Sequence, residues 1–173
     1  MSAERVSSQT RVCLWAVGPG TDALTVGDTV GDRYEVIAPQ IWKDLHPETP
    51  PSTPETLPES VLPYLRSHRL RLHVPGVYDV VTRKGQPPWL VLENAPVNAR
   101  SGELYPTLEA QWPTASAARQ MSWLWQIWQL WEPLLDLGVG SSLLSPENLR
   151  VEGWRVRLRQ LLPDTSPPQR SDL

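Results

Sequence analysis

Phenylalanine is absent from this chain of 173 residues, and cysteine occurs once, at Cys13. One cysteine excludes an intrachain disulfide and any zinc site built from several thiolates. Lysine is nearly missing as well. Lys43 and Lys84 are the only lysines, and arginine supplies the other positive charge. A guanidinium stays protonated, so chemistry that needs a neutral amine has two candidates. The net charge of -3 gives the chain no polybasic character, which argues against nucleic-acid binding by bulk electrostatics. No apolar run approaches the roughly 20 residues that span a bilayer. The opening MSAERVSSQT is polar and lacks the apolar core of a signal peptide. These absences lead to the expectation of a cytoplasmic, soluble protein with no membrane contact.

What is present in excess is tryptophan and proline, 9 and 19 residues. With no phenylalanine, tryptophan must supply much of the large aromatic volume. Proline lengthens loops and limits regular structure. The length suits one domain, which we place at residues 11–162 between disordered tails at 1–10 and 163–173. Val12 to Val17 reads as a strand, closed by the turn formers Gly18, Pro19 and Gly20. Tyr34, Val36 and Ile41 suit a twisted pair of short strands interrupted at Pro39. Residues 47–63 hold Pro47, Pro50, Pro51, Pro54, Pro58 and Pro63, and read as an arm that cannot be a central strand. A short helix is expected after Pro63. Val77 to Thr82 and Trp89 to Glu93 read as a β-hairpin turning at residues 83–88.

The strongest periodicity lies between Ala115 and Leu137. Met121, Leu124, Trp128, Trp131 and Leu135 recur at helical spacing. Trp125, Ile127, Leu130 and Leu134 widen that stripe until most of the circumference is apolar. Such a helix is buried in a core or against a partner. Thr114 or Ser116 suits its cap, Pro133 predicts a kink or break, and Gly138 suits its end. Beyond it, Leu149 to Glu152 and Trp154 to Gln160 read as a second hairpin. Arg155, Arg157 and Arg159 alternate there with Val156 and Leu158, so a strand puts the arginines on one face.

Several segments in order resemble a protein kinase domain. Gly31 to Val36 resembles the entry to the first kinase strand, and His73 to Val80 the passage into the fourth. Trp89 to Glu93 resembles the fifth strand and hinge. Pro146-Glu147-Asn148 stands where the kinase catalytic loop closes. That register puts Ser141, Ser142 and Leu143 in place of His-Arg-Asp, and Gln160, Leu161 and Leu162 in place of Asp-Phe-Gly. Phosphoryl transfer needs a carboxylate to orient the hydroxyl, another on magnesium and a lysine on the phosphates. Leu143 and Gln160 supply neither carboxylate, no G-x-G-x-x-G covers a phosphate, and Lys43 falls one strand early. Asn148 alone remains as a weak candidate for a metal or nucleotide contact, with a backbone brace as the plainer role. No cofactor is expected. His46, His68 and His73 lack metal-pair spacing, and no serine lies in G-x-S-x-G.

At closer range Leu14 to Gly18, Gly31 to Val36, Leu70 to Val77, Ser122 to Pro133 and Gly138 to Gly153 resemble a kinase-like region of cyanobacterial 2C-type, metal-dependent serine/threonine protein phosphatases. In that family a zinc ribbon often precedes this region and a phosphatase domain follows it. Neither is found in this sequence. The resemblance therefore implies an α+β, degenerate and truncated kinase-like fold and a non-catalytic regulatory or protein-interaction role. It does not imply phosphatase activity. The partner would be a protein or a missing downstream domain. Trp123, Trp125 and Trp131 are the candidate contact residues, because tryptophan is enriched at binding hot spots. Arg155, Arg157 and Arg159 are candidates for an anionic contact, with a solvated strand face as the alternative. Two competing readings are an atypical kinase using Glu147 or Glu152, and an arginine-mediated binder of nucleic acid or phosphoprotein.

Overall fold

The computed structural model describes residues 13–165. The tail expected at 1–10 lies outside them, as does most of the tail expected at 163–173. The first strand, β1 (Cys13–Val17), is apolar throughout and takes a central place in the sheet. β2 (Thr29–Val30), β3 (Tyr34–Ala38) and β4 (Ile41–Asp44) follow. β3 and β4 are joined by Pro39 and Gln40, the latter at φ 59. The proline-rich arm carries no strand and leads into α1 (Leu62–Arg66), which has Pro63 in its first turn. β5 (Gly76–Arg83) and β6 (Gln86–Glu93) form the expected hairpin. A two-stranded ladder, β7 (Val97–Asn98) with β8 (Glu103–Leu104), and the short α2 (Leu108–Gln111) precede α3 (Ala117–Asp136). β9 (Leu149–Glu152) and β10 (Arg155–Leu158) close the described chain.

Among the described residues the architecture is mixed α+β, with three α-helices and a six-stranded antiparallel sheet in the order β2-β3-β4-β1-β6-β5. β1 pairs with β4 through Leu14 and Trp42, and with β6 through Ala16 and Val91. Alternation along the strands divides the apolar residues between two faces. Leu14, Ala16, Tyr34, Val36, Trp42, Trp89 and Val91 pack on one face. Trp15, Ile41, Leu90 and Leu92 lie on the other and join the larger core with α1, α3 and the β9–β10 hairpin. Gly18 is needed where β1 leaves the sheet. Its φ is +146, and an added Cβ would meet the Trp89 ring at 2.4 Å.

The long helix starts where its sequence says. The Ser116 hydroxyl accepts a bond from the Arg119 amide at 3.4 Å, and Gly138 takes a left-handed φ of 71 just past the end. Pro133 lies inside a continuous helix, so the predicted break does not occur. The amide hydrogen that proline lacks removes one bond, and the burial of Leu130 and Leu134 on either side holds the turn together.

Polar contacts fix the last hairpin to the sheet half of the molecule. The Leu158 amide donates to the His73 carbonyl at 2.7 Å. The Leu161 amide donates to the Tyr64 hydroxyl at 2.9 Å, and Trp15 Nε1 donates to Gln160 Oε1 at 3.0 Å. Burial pushes the Tyr64 hydroxyl up to about 12, against the opposing pull of the Leu161 amide.

Candidate functional site

The positions aligned with a catalytic loop form a closed structural unit. Asn148 is fully buried. Its Nδ2 donates to the carbonyls of Ser142 and Gln160, both at 2.9 Å, and its Oδ1 accepts from the Gln160 amide at 3.0 Å. Both amide hydrogens and one lone pair of the oxygen are thus used in tying residue 142 to residue 160. Ser142 is also buried, and its hydroxyl accepts from the Leu162 amide at 2.8 Å. The Leu143 side chain is in the core. Asp164 accepts from the amides of Gly140 and Ser141, at 3.2 and 2.7 Å. Burial acts to raise the Asp164 carboxyl, but the bonds from Ser141 and Gly140 outweigh it and hold it below the usual carboxylate range. Each group here spends its polar capacity on the loop itself.

The carboxylates of the atypical-kinase reading have partners too. Glu147 is open to solvent and pairs with Arg150 at 3.1 Å. Glu152 receives Arg157 at 2.9 Å and the Tyr105 hydroxyl at 3.1 Å. Lys43 sits 3.9 Å from Glu35 and lines a recess of about 530 Å³ with Cys13, Glu35, Ile37, Gly102 and Glu103. One lysine against two glutamates is a poor setting for a polyanionic phosphate. Among the described residues, no group of three or more His, Cys, Asp or Glu could hold a metal ion.

The arginine row does not form the open cationic strip expected of it. Arg155 is exposed, but Arg157 is only 7% exposed. Arg157 reaches Asn94 Oδ1 at 2.7 Å and the Asn94 carbonyl, besides its bond to Glu152. Arg159 lies past the end of β10 with its guanidinium 5.0 Å above the Trp15 ring, and its Nε is buried without a hydrogen-bond partner. Burial, and after it the nearby Arg150, pull the Arg159 guanidinium below its ordinary range, with Glu147 opposing. Only Arg155 and Arg157 lie within β10, two residues apart as alternation requires. Arg157 meets the segment that follows β6 and Arg159 the Trp15 ring, which leaves Arg155 as the one side chain of the row in open solvent.

The tryptophans of α3 separate in the same way. Trp123 is 1% exposed, and its Nε1 donates to the Gly153 carbonyl at 3.2 Å. It stacks obliquely on Trp112 at 6.3 Å and belongs to the core, which corrects its assignment as a contact residue. Trp125 is 60% exposed and Trp131 39%. The most open of the set is Trp128, at 77%, which was counted in the periodic stripe but not among the contact candidates. Met121 and Leu124 are exposed beside it. These side chains and Ile127 line an apolar groove of about 590 Å³. The buried stripe instead runs through Trp123, Leu130 and Leu134, with Ile127 at its margin. The helix therefore has two apolar faces, one spent on the core and one left open.

In comparison with known proteins, no family model matches this chain, and neither a curated protein nor a solved structure gives a significant match.

Proposed function

We propose that the chain is a non-catalytic, pseudokinase-like module that works by protein contact through the open face of α3, in the setting of serine/threonine phosphatase signalling. The observation that carries the contact role is the face itself. Met121, Leu124, Trp125, Trp128 and Trp131 are all exposed on one helix whose other face is already in the core. Contiguous apolar surface of this size marks an interaction site, and scattered single residues do not. Tryptophan at its centre suits a binding hot spot. The non-catalytic part is supported by the loop around Asn148, where the only kinase-like ligand left is engaged on both sides of its amide. The kinase-like ancestry and the phosphatase setting rest on the sequence resemblance.

Two experiments test the reading. The open face should bind an environment-sensitive apolar dye, and a Trp125→Ser, Trp128→Ser, Trp131→Ser triple variant should keep its fold and lose the dye. Equal dye binding by the variant would remove the face as a working surface. Separately, millimolar ATP with magnesium should leave the melting temperature unchanged. A magnesium-dependent rise that Asn148→Ala abolishes would make the chain a nucleotide-binding protein.

A further inference from the structure

The open face of α3 has a regular internal spacing. Met121, Leu124, Trp128, Trp131 and Leu135 follow one another at intervals of three, four, three and four residues. That is the alternation of a and d positions in a coiled coil. All five are exposed. A face with this spacing fits another helix laid along it, crossing at a shallow angle.

We infer that the partner on this face is a second copy of the chain, with the two α3 helices packed antiparallel about a two-fold axis that crosses the a and d seam at the level of residue 126. The inference rests on the contact role proposed above and names its occupant. Three observations carry it. In antiparallel coiled coils each a position faces a d position. About an axis at residue 126, Met121 faces the partner's Trp131, and Leu124 faces the partner's Trp128. Each layer then sets one tryptophan against one slender side chain, so bulky and small residues interdigitate. A parallel pairing would instead set Trp128 and Trp131 each against their own copies.

Charge points the same way. The acidic residues of the exposed side, Glu132 and Asp136, lie in the last two turns of α3, and its first turn holds no acidic residue. An antiparallel pair brings each acidic end beside the positive N-terminal end of the other helix. A parallel pair would instead bring the two acidic ends together. The area is also sufficient. The exposed parts of these side chains and Trp125 amount to on the order of 700 Å² per copy, or about 1,400 Å² in all, within the range that stable interfaces bury. A two-fold contact uses the same patch on both copies and closes at the dimer.

Sedimentation velocity on the whole chain, over nanomolar to high micromolar concentrations, tests this. A monomer–dimer equilibrium is expected. Trp128→Glu should weaken it by at least ~30-fold, the effect of losing one hot-spot residue, while the monomer keeps its melting temperature. Orientation is read by disulfide trapping on a Cys13→Ser background. An equal mixture of Met121→Cys and Trp131→Cys chains should give mainly the mixed disulfide, and a preponderance of like-with-like products would overturn the antiparallel register. Wild-type protein that stays monomeric throughout would overturn the dimer. If that monomer still binds the apolar dye through Trp128, the contact-surface reading survives and only its occupant is wrong. Dimers that form equally well with Trp128→Glu would place the interface elsewhere.

Discussion

Replacing Asn148 separates a backbone brace from a metal ligand, because the two roles respond oppositely to a carboxylate. Asn148→Ala leaves the Gln160 amide and the carbonyls of Ser142 and Gln160 without the partners they have at 2.9 to 3.0 Å, the Ser142 bond buried and the two Gln160 bonds half-buried. An unsatisfied buried group costs about 1–3 kcal/mol, and because the two Gln160 groups are only half-buried, roughly 3–5 kcal/mol, the lower part of the range for three groups, is expected. That is a large part of the ~5–15 kcal/mol that holds a domain folded. Asn148→Asp keeps the volume and keeps an acceptor for the Gln160 amide. It also turns a donor toward two carbonyl oxygens into an anion. Burial and repulsion then favour the neutral acid, so the folded-state pKa of the new group lies above its unfolded value of ~3.9. A raised pKa gives stability that is present below the unfolded value and is lost as pH rises through the folded one. Urea unfolding followed by tryptophan fluorescence should therefore show this variant losing stability relative to wild type between about pH 4 and pH 7. A variant as stable as wild type at neutral pH, and stabilised further by magnesium, would refute the brace and make residue 148 a metal ligand.

The two faces of α3 should answer differently to truncation. Trp123→Ala should cost about 3–5 kcal/mol by emptying a core position, whereas Trp128→Ala in dilute monomer should change stability by less than ~0.5 kcal/mol; equal costs in chemical denaturation would contradict the burial pattern. Gly18→Ala should destabilise by at least ~1–3 kcal/mol of backbone strain, because its φ is +146 and the new Cβ would meet the Trp89 ring; an unchanged melting temperature would contradict this. Burial acts to raise the Asp44 carboxyl, but the Tyr78 hydroxyl, the His46 amide and Arg33 outweigh it and hold it below its ordinary range. A depressed pKa contributes stability above the unfolded value of ~3.9 that is lost as pH falls. Asp44→Asn should therefore flatten the acid limb of the stability profile, and an unaltered limb would assign acid unfolding to other groups.

Local signals in the sequence proved readable where a single element decides them. Ser116, Gly138 and the periodicity between them marked α3 to within two residues at its start and one at its end. Proline density marked the arm, and the run from Val77 to Glu93 marked the β5–β6 hairpin. Long-range pairing was not readable. Nothing in Cys13–Val17 says that this strand inserts between β4 and β6, because that choice depends on residues up to about eighty positions away. The same limit explains the tryptophans. Periodicity showed that α3 is apolar nearly all round, but it cannot say which stripe meets the sheet. The core took Trp123, Leu130 and Leu134, and left the a and d stripe open. Heptad spacing was the signal that could have picked out Trp128 ahead of Trp123. The arginine row failed for a related reason. Alternation placed Arg155 and Arg157 on the strand, but not the end of β10 before Arg159, nor the cover that Asn94 and Glu152 give Arg157 and Trp15 gives Arg159.

Hydroxyl-radical footprinting of the intact chain, read tryptophan by tryptophan by mass spectrometry at low and high concentration, tests the central claim most directly. In dilute protein Trp128 and Trp125 should oxidise fastest, while Trp42 and Trp123 stay protected as core residues. At high concentration Trp125, Trp128 and Trp131 should become protected together, with Trp154 unchanged as an exposed reference outside the proposed contact. Protection of Trp128 in dilute monomer, or the same reactivity at Trp125, Trp128 and Trp131 at every concentration, would contradict the account of α3 as an open face that closes on a second copy.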